Sequence, residues 1–163
     1  MGKTILRNLI ADFLNTGAPD TGIWSLMGAG FNTLDENPGA QIDTKAYIND
    51  RSATSVIKGY RLKFPFDTDL VESEAAVSKL YDMGRNQAQG GDAEAEYVRV
   101  ELFRDCEGAG ENVHPARKFR VAVEVNSISG GGAEVIHVSG SLNNVGSYTD
   151  GMFDISSKTF IAL

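Results

Sequence analysis

Three stretches of this chain alternate apolar and polar side chains with a period of two, and that pattern excludes most folds. In residues 97–103, Val98, Val100 and Leu102 point one way while Tyr97, Arg99, Glu101 and Phe103 point the other. In residues 118–125, Phe119, Val121, Val123 and Val125 form one face, with Lys118, Arg120, Ala122 and Glu124 opposite. In residues 134–142, Ile136, Val138 and Leu142 share a side, with His137, Ser139 and Ser141 on the other. Successive side chains of a strand leave opposite faces, so each stretch reads as a strand buried on one face. That is the signature of antiparallel sheet; parallel strands are covered on both sides and read as continuous apolar runs. Eighteen glycines against four prolines punctuate these runs, and Gly130-Gly131-Gly132 makes residues 118–142 one antiparallel hairpin.

A second hairpin is predicted from about residue 41 to 64. Ile42–Ile48 alternates weakly, Val56, Tyr60, Leu62 and Phe64 alternate better, and Asn49-Asp50-Arg51-Ser52 between them are turn formers. Much of this hairpin is polar on both faces, which marks an edge or a surface lining water. Short strands are predicted near 153–155 and 159–163. One helix is expected at about 73–84, capped by Ser73, with Glu72 and Glu74 at the positive end of its dipole. Val77, Leu80 and Tyr81 give it an inner face, and Gly84 supplies a left-handed C-cap. Ile5, Leu6, Leu9, Ile10, Phe13 and Leu14 form a helical stripe near the N-terminus. Two readings stand for it: a helix covering one end of the core, or an arm that docks on another subunit. The fold class is therefore mainly β, with two packed antiparallel sheets and one flanking helix.

Composition narrows the function. The 163 residues carry 15 basic and 22 acidic side chains, a formal net charge of −7, with the acidity concentrated in the second half. The size is that of one domain. An acidic protein gains little from counterion release, so nucleic acid is a poor tight ligand. One cysteine, Cys106, excludes an intrachain disulfide. No apolar window spans a bilayer, and residues 5–14 are too interrupted for a signal core. A reducing cytoplasm is the expected site of synthesis and folding.

Catalytic chemistry is hard to assemble from these residues. Gly28-Ala29-Gly30 begins like a dinucleotide motif, but position 33 is Thr and no phosphate-binding lysine follows. His114, before Pro115, and Cys106 are read as loop residues that nothing orients into a dyad. Asp105, Glu107 and Glu111 share a loop but lack calcium-site spacing. Asp92, Glu94 and Glu96 would form an acidic stripe on a strand: a solvated face, or a wall that repels a polyanion. No catalytic residue, metal site or cofactor is predicted, and the chain is not expected to be an enzyme.

Several segments, in order, resemble the major tail protein of bacteriophages of Gram-positive hosts. They are Trp24-Ser25-Leu26-Met27-Gly28-Ala29-Gly30, Lys45-Ala46-Tyr47-Ile48-Asn49-Asp50, Thr54-Ser55-Val56-Ile57-Lys58-Gly59-Tyr60 and Phe64-Pro65-Phe66-Asp67-Thr68-Asp69. The likeness continues through Tyr81-Asp82-Met83-Gly84-Arg85-Asn86, Tyr97-Val98-Arg99-Val100, Pro115-Ala116-Arg117-Lys118-Phe119, Ser139-Gly140-Ser141-Leu142-Asn143 and Gly151-Met152-Phe153-Asp154. The resemblance covers about residues 22–155. It implies a single tail tube domain over 1–163, with 1–20 an N-terminal assembly arm and 156–163 a C-terminal segment. It implies hexameric rings stacked into a hollow tube through which DNA passes without specific binding. The partners it implies are further copies of the chain, with tape measure, tail terminator and distal tail proteins. The location it implies is the virion tail, assembled in the host cytoplasm. An alternative is the inner tube of a contractile bacteriocin or secretion-type injection machine that passes proteins. On this resemblance Gln41, Asp43 and Lys45 are lumen candidates. Ile5, Leu6, Leu9, Ile10 and Phe13, with Asn49, Asp50, Arg51 and Ser52, are subunit or ring contacts.

Overall fold

A computed structural model describes residues 2–163. The chain is mainly β, with one large antiparallel sheet, a small second sheet and one helix. The trunk of the large sheet is the 17-residue strand β8 (Val113–Ser129). On one flank β8 pairs with β7 (Glu94–Glu101), Tyr97 opposite Phe119. On the other, its C-terminal half pairs with β9 (His137–Asn144) and its N-terminal half with β10 (Thr149–Asp154). The sheet continues from β7 to β1 (Ile10–Asn15) and β2 (Trp24–Leu26). From β9 it runs to β6 (Lys63–Asp69) and β3 (Phe31–Leu34), and β11 (Thr159–Ala162) edges β10. The hairpin at 118–142 and the two terminal strands therefore form as their alternation requires, with β9 starting at His137 rather than 134.

The large sheet carries a core on each face. Phe64 packs edge-on against Tyr97 and Phe119 at centroid distances of 4.7 and 4.9 Å, among Leu80, Val121 and Leu142. On the opposite face Phe13 stacks on Phe153 at 4.5 Å, with Trp24 edge-on to the same ring. Strand β7 separates the two: Tyr97 belongs to the first core, Val98 and Val100 to the second, and all three are fully buried. The expectation that this strand hides only one face is thus corrected. Its polar-looking face carries Tyr97 and Arg99, both buried, because their polar tips pair with a buried carboxylate.

That carboxylate belongs to Asp12 on β1. Residues 5–14 are not a helix: a single 3-10 turn at Arg7–Leu9 leads straight into β1, which lies between β2 and β7. The helical spacing of its apolar residues was coincidental. Phe13 and Leu14 point into opposite cores, which only a strand between two apolar layers allows.

The helix α1 spans Ala75–Arg85 and buries Ala76, Val77 and Leu80, close to its predicted extent. Its ends differ from expectation. Glu74 rather than Ser73 holds the N-cap position, without a side-chain hydrogen bond. Gly84 is no left-handed cap; a Cβ there would lie 2.7 Å from Val125 Cγ1, so glycine lets the helix settle onto β8. His114 and Pro115 lie on β8, not in a loop, and the His114 ring is buried with Nδ1 2.6 Å from the Arg104 carbonyl oxygen.

The second sheet consists of β4 (Ala40–Lys45) and β5 (Thr54–Tyr60). It continues the β3–β6 ladder beyond the body. Leu34 faces Phe66, Asn37 faces Lys63, and Ala40 faces Tyr60. Gly39 forms the pivot. Its φ is +64° and a Cβ would collide with the carbonyl oxygen of Arg61, whose N–H donates to the Gly39 carbonyl at 2.9 Å. Phe64, expected at the end of this hairpin, belongs instead to β6 and the first core.

Candidate assembly surface

The β4–β5 hairpin is the part of the molecule whose side chains have no interior to enter. Each residue of β4 is exposed, and on β5 only Gly59 is half-covered. Neither face of the hairpin packs on the core. Six residues of strand rise about 20 Å, so the arm stands well clear of the body. An isolated two-stranded hairpin is marginal in water. Here the ladder shared with β3 and β6 anchors its root, while the outer part lacks any covering layer within the chain.

Cross-strand pairing sorts its side chains into two unlike faces. Ile42 lies opposite Ile57, and Thr44 opposite Ser55, with the two hydroxyls 3.1 Å apart. This face carries no charge. Ile42 and Ile57 are 65% and 54% exposed, unusual for an isoleucine pair directly opposed on a ladder. The other face sets Asp43 opposite Val56 and Lys45 opposite Thr54, with Lys58 Nζ 3.4 Å from Asp43. A shift in register between Gln41 and Ile42 marks a bulge that twists the arm.

The lumen candidates Gln41, Asp43 and Lys45 occupy alternate, exposed positions of β4. With Lys58 beside Asp43, their face carries two lysines and one aspartate, so this hairpin brings no acidic wall. The acidic stripe read at 92–96 is elsewhere and is neutralised. Asp92 falls in a 3-10 turn, Glu94 pairs with Arg120, and Glu96 Oε2 sits 2.8 Å from Lys118 Nζ. Both ion pairs run diagonally across β7–β8: Glu94 faces Ala122 and Glu96 faces Arg120, so each carboxylate reaches the cation two residues along β8 from its direct partner.

The contact candidates are distributed unevenly. Asn49, Asp50, Arg51 and Ser52 form the exposed tip, turned by the Asp50 carboxylate accepting from the Tyr47 N–H at 2.8 Å. Beside them Ile48 is fully accessible and Tyr47 is 61% exposed, and Lys45 Nζ lies 4.8 Å from the Tyr47 ring centroid. Ile5 and Leu6 are also exposed, whereas Leu9 and Ile10 are half-buried. Phe13 is buried in the chain's own second core, so it is occupied within the subunit and cannot serve as an arm residue. The N-terminal segment is joined to the root of the hairpin rather than to its tip. Arg7 Nη2 reaches both Asp12 Oδ2, at 2.8 Å, and the Leu34 carbonyl, at 2.9 Å. It thereby fastens the N-terminal segment to the strand that leads into the hairpin.

A network that the sequence did not reveal supports this junction. Asp12 is almost fully buried and accepts from Tyr97 Oη. Arg99 Nη1 lies 3.4 Å from Asp12 and donates to the Tyr97 hydroxyl at 3.2 Å. Burial, with the Asp12 charge adding to it, pushes the Tyr97 phenol well above its ordinary range. Burial opposes the charge on Arg99, but Tyr97 and Asp12 outweigh it and hold the guanidinium above its usual value. A polar residue inside an apolar stripe was the available signal, because a buried polar position demands partners. Among the described residues no group of three or more His, Cys, Asp or Glu is placed to hold a metal ion. Nor is any helix long and apolar enough to cross a membrane.

No protein-family model matches the chain, and a search of curated proteins finds no relative at a significant level.

Proposed function

We propose that this chain is the structural subunit of a hollow tube, built from rings of identical copies, of the kind phage tails use to conduct DNA. The observation that carries the reading is the β4–β5 hairpin, an amphipathic two-stranded arm with its isoleucine face uncovered. A side chain of that size gains about 1.5–3 kcal/mol when fully removed from water. Leaving Ile42, Ile57 and the neighbouring tip residues Tyr47 and Ile48 exposed is explicable if a partner covers them. A stable contact needs about 800 Å² per partner, so the tip and the N-terminal residues would have to join the isoleucine face in it.

The resemblance of the ordered segments to phage tail proteins supplies the kind of partner in this reading, namely further copies of this chain. A tube also accounts for the edges. Strands β2, β3 and β11 and both hairpin strands present unpaired backbone groups, a hazard in a monomer and a resource in an assembly. The neutralised Glu94 and Glu96 alter one part of the reading: repulsion of a polyanion would have to come from the overall charge of −7 rather than from that stripe.

Negative-stain electron microscopy of concentrated protein, beside sedimentation velocity, tests the proposal. Hollow tubes or rings of uniform diameter are expected. A species that stays monomeric across a hundredfold range of concentration, with or without a nucleating tail-tip complex, would overturn it.

A further inference from the structure

The strand β6 has the hairpin at one end and a second uncovered apolar patch at the other. At its Lys63 end the ladder runs out into β4 and β5. At its Asp69 end the chain meets the β8–β9 turn, where the Leu70 N–H donates to the Ile136 carbonyl at 2.8 Å. Ile128, Val135 and Ile136 lie in that turn region and are 43%, 54% and 44% exposed. The root of the arm and this second patch are separated by the length of a seven-residue strand, about 23 Å, and the Ile42–Ile57 pair lies further out along the arm.

Their charges are opposite. Residues 40–63 contain five basic side chains, Lys45, Arg51, Lys58, Arg61 and Lys63, against Asp43 and Asp50. Asp35 and Glu36 lie on the body side of the root, and Glu36 is paired with Arg117 at 3.1 Å. At the far end Asp67, Asp69, Glu72, Glu74 and Glu134 face no lysine or arginine within residues 66–74 or 127–137. His137 is the one titratable base there, its Nδ1 2.9 Å from Asp69 and 4.0 Å from Asp67. In a protein of net charge −7, a hairpin region of net +3 is an exception, and its complement sits on the same molecule.

We propose that the Ile128–Val135–Ile136 surface at the far end of β6 receives the hairpin of a second copy of this chain, head to tail. This rests on the self-assembly reading above and identifies the surface that the arm contacts. The neutral isoleucine face of the arm covers the apolar patch, while its lysines and arginine approach the surrounding carboxylates. Because arm and receiver are different surfaces, the contact propagates from copy to copy, closing a ring or extending a filament.

The test uses the full chain with Cys106→Ser as background. Ile42→Cys and Ile136→Cys are introduced singly and together, and the proteins are oxidised mildly at assembling concentration. The double variant should yield a ladder of disulfide-linked multimers on non-reducing gels, and neither single variant should give more than traces of dimer. A double variant that stops at dimer would overturn the head-to-tail order, since a reciprocal exchange closes after two copies. Efficient dimers from Ile42→Cys alone would place arm against arm and overturn the receiver. Rings or tubes without cross-links would overturn the receiver while leaving self-assembly standing; no assembly of the parent protein would overturn both.

Charge reversal gives a second measure that avoids apolar changes. Arg51→Glu with Lys58→Glu, or Glu72→Lys with Glu134→Lys, should each raise the concentration needed for assembly by about tenfold. A chain carrying all four reversals should return to within about threefold of the parent. Failure of the combined variant to recover, with the parent assembling normally, would overturn the pairing of these two ends.

Discussion

The carboxylate of Asp12 and the phenol of Tyr97 meet across the β1–β7 ladder in the buried interior, where Arg99 closes the third side. Asp12 faces Arg99 in the register of the two strands, so the pair also fixes how the N-terminal strand enters the sheet. Slipping β1 by one residue would turn Asp12 into the second core and Phe13 out of it.

Removing that carboxylate should be the most damaging polar substitution in the body. Asp12→Ala leaves the Arg99 guanidinium, 9% exposed, without its counter-charge. A loss of about 3 kcal/mol is expected, read as a lowered urea midpoint with unchanged slope. Tyr97→Phe keeps the ring packing against Phe64 and should cost only about 1–2 kcal/mol. If the two substitutions prove equally mild, the network contributes little beyond packing.

Ile42→Ser combined with Ile57→Ser separates folding from assembly. Both side chains are exposed in the subunit, so the unfolding free energy should move by less than about 0.5 kcal/mol. Assembly, followed by pelleting, should be lost. A variant that unfolds easily would show that the isoleucine pair holds the hairpin together rather than awaiting a partner.

Gly39 controls where the arm points. Gly39→Ala puts a side chain against the Arg61 carbonyl at a positive φ, which costs about 1–3 kcal/mol locally. The strain falls at the root of the arm, outside both cores. The expected result is faster protease cleavage within residues 40–60 and impaired assembly, with the body's far-ultraviolet circular dichroism retained.

The acid side of the stability profile should depend on Glu96. Burial works to raise its carboxyl, but Lys118, the Asp20 N–H and the Asn15 amide prevail and hold it below the usual carboxylate range. The unfolded chain therefore binds the proton first, so this contribution is complete above the ordinary carboxylate range near 4.5. It is lost as pH falls through the lower folded value. Glu96→Gln should flatten part of the decline in melting temperature below pH 4.5 and lower stability at pH 7 by about 1 kcal/mol. An unchanged acid slope would assign the titration to other groups.

Cys106→Ser should leave assembly unchanged. The thiol is free and half-buried in the segment between β7 and β8. Loss of tubes or rings in this variant would place that segment in a subunit contact.

The period-two alternation of residues 118–125 and 134–142, with the glycines between them, determined by itself that the chain forms antiparallel sheet. Val77 and Leu80 likewise announced α1 through their spacing, and the two-faced polarity of residues 41–60 marked an unusual hairpin. Tertiary structure decided what lies on each side of those elements. Spacing cannot tell a strand between two apolar layers from an amphipathic helix when apolar residues crowd together, as they do at Ile10, Phe13 and Leu14. The burial of Tyr97 and Arg99 depended on Asp12, 85 and 87 positions earlier in the chain, and a long-range polar pairing leaves no local pattern. Gly84 reads as a helix cap in the sequence and Gly39 carries no signal of its own; one admits a helix against Val125 and the other bends an arm away from the body, because the neighbour each would strike is set only by the fold. The alternation gave the hairpin its two faces; the way the β3–β6 ladder carries it past the edge of the core left both of them in water.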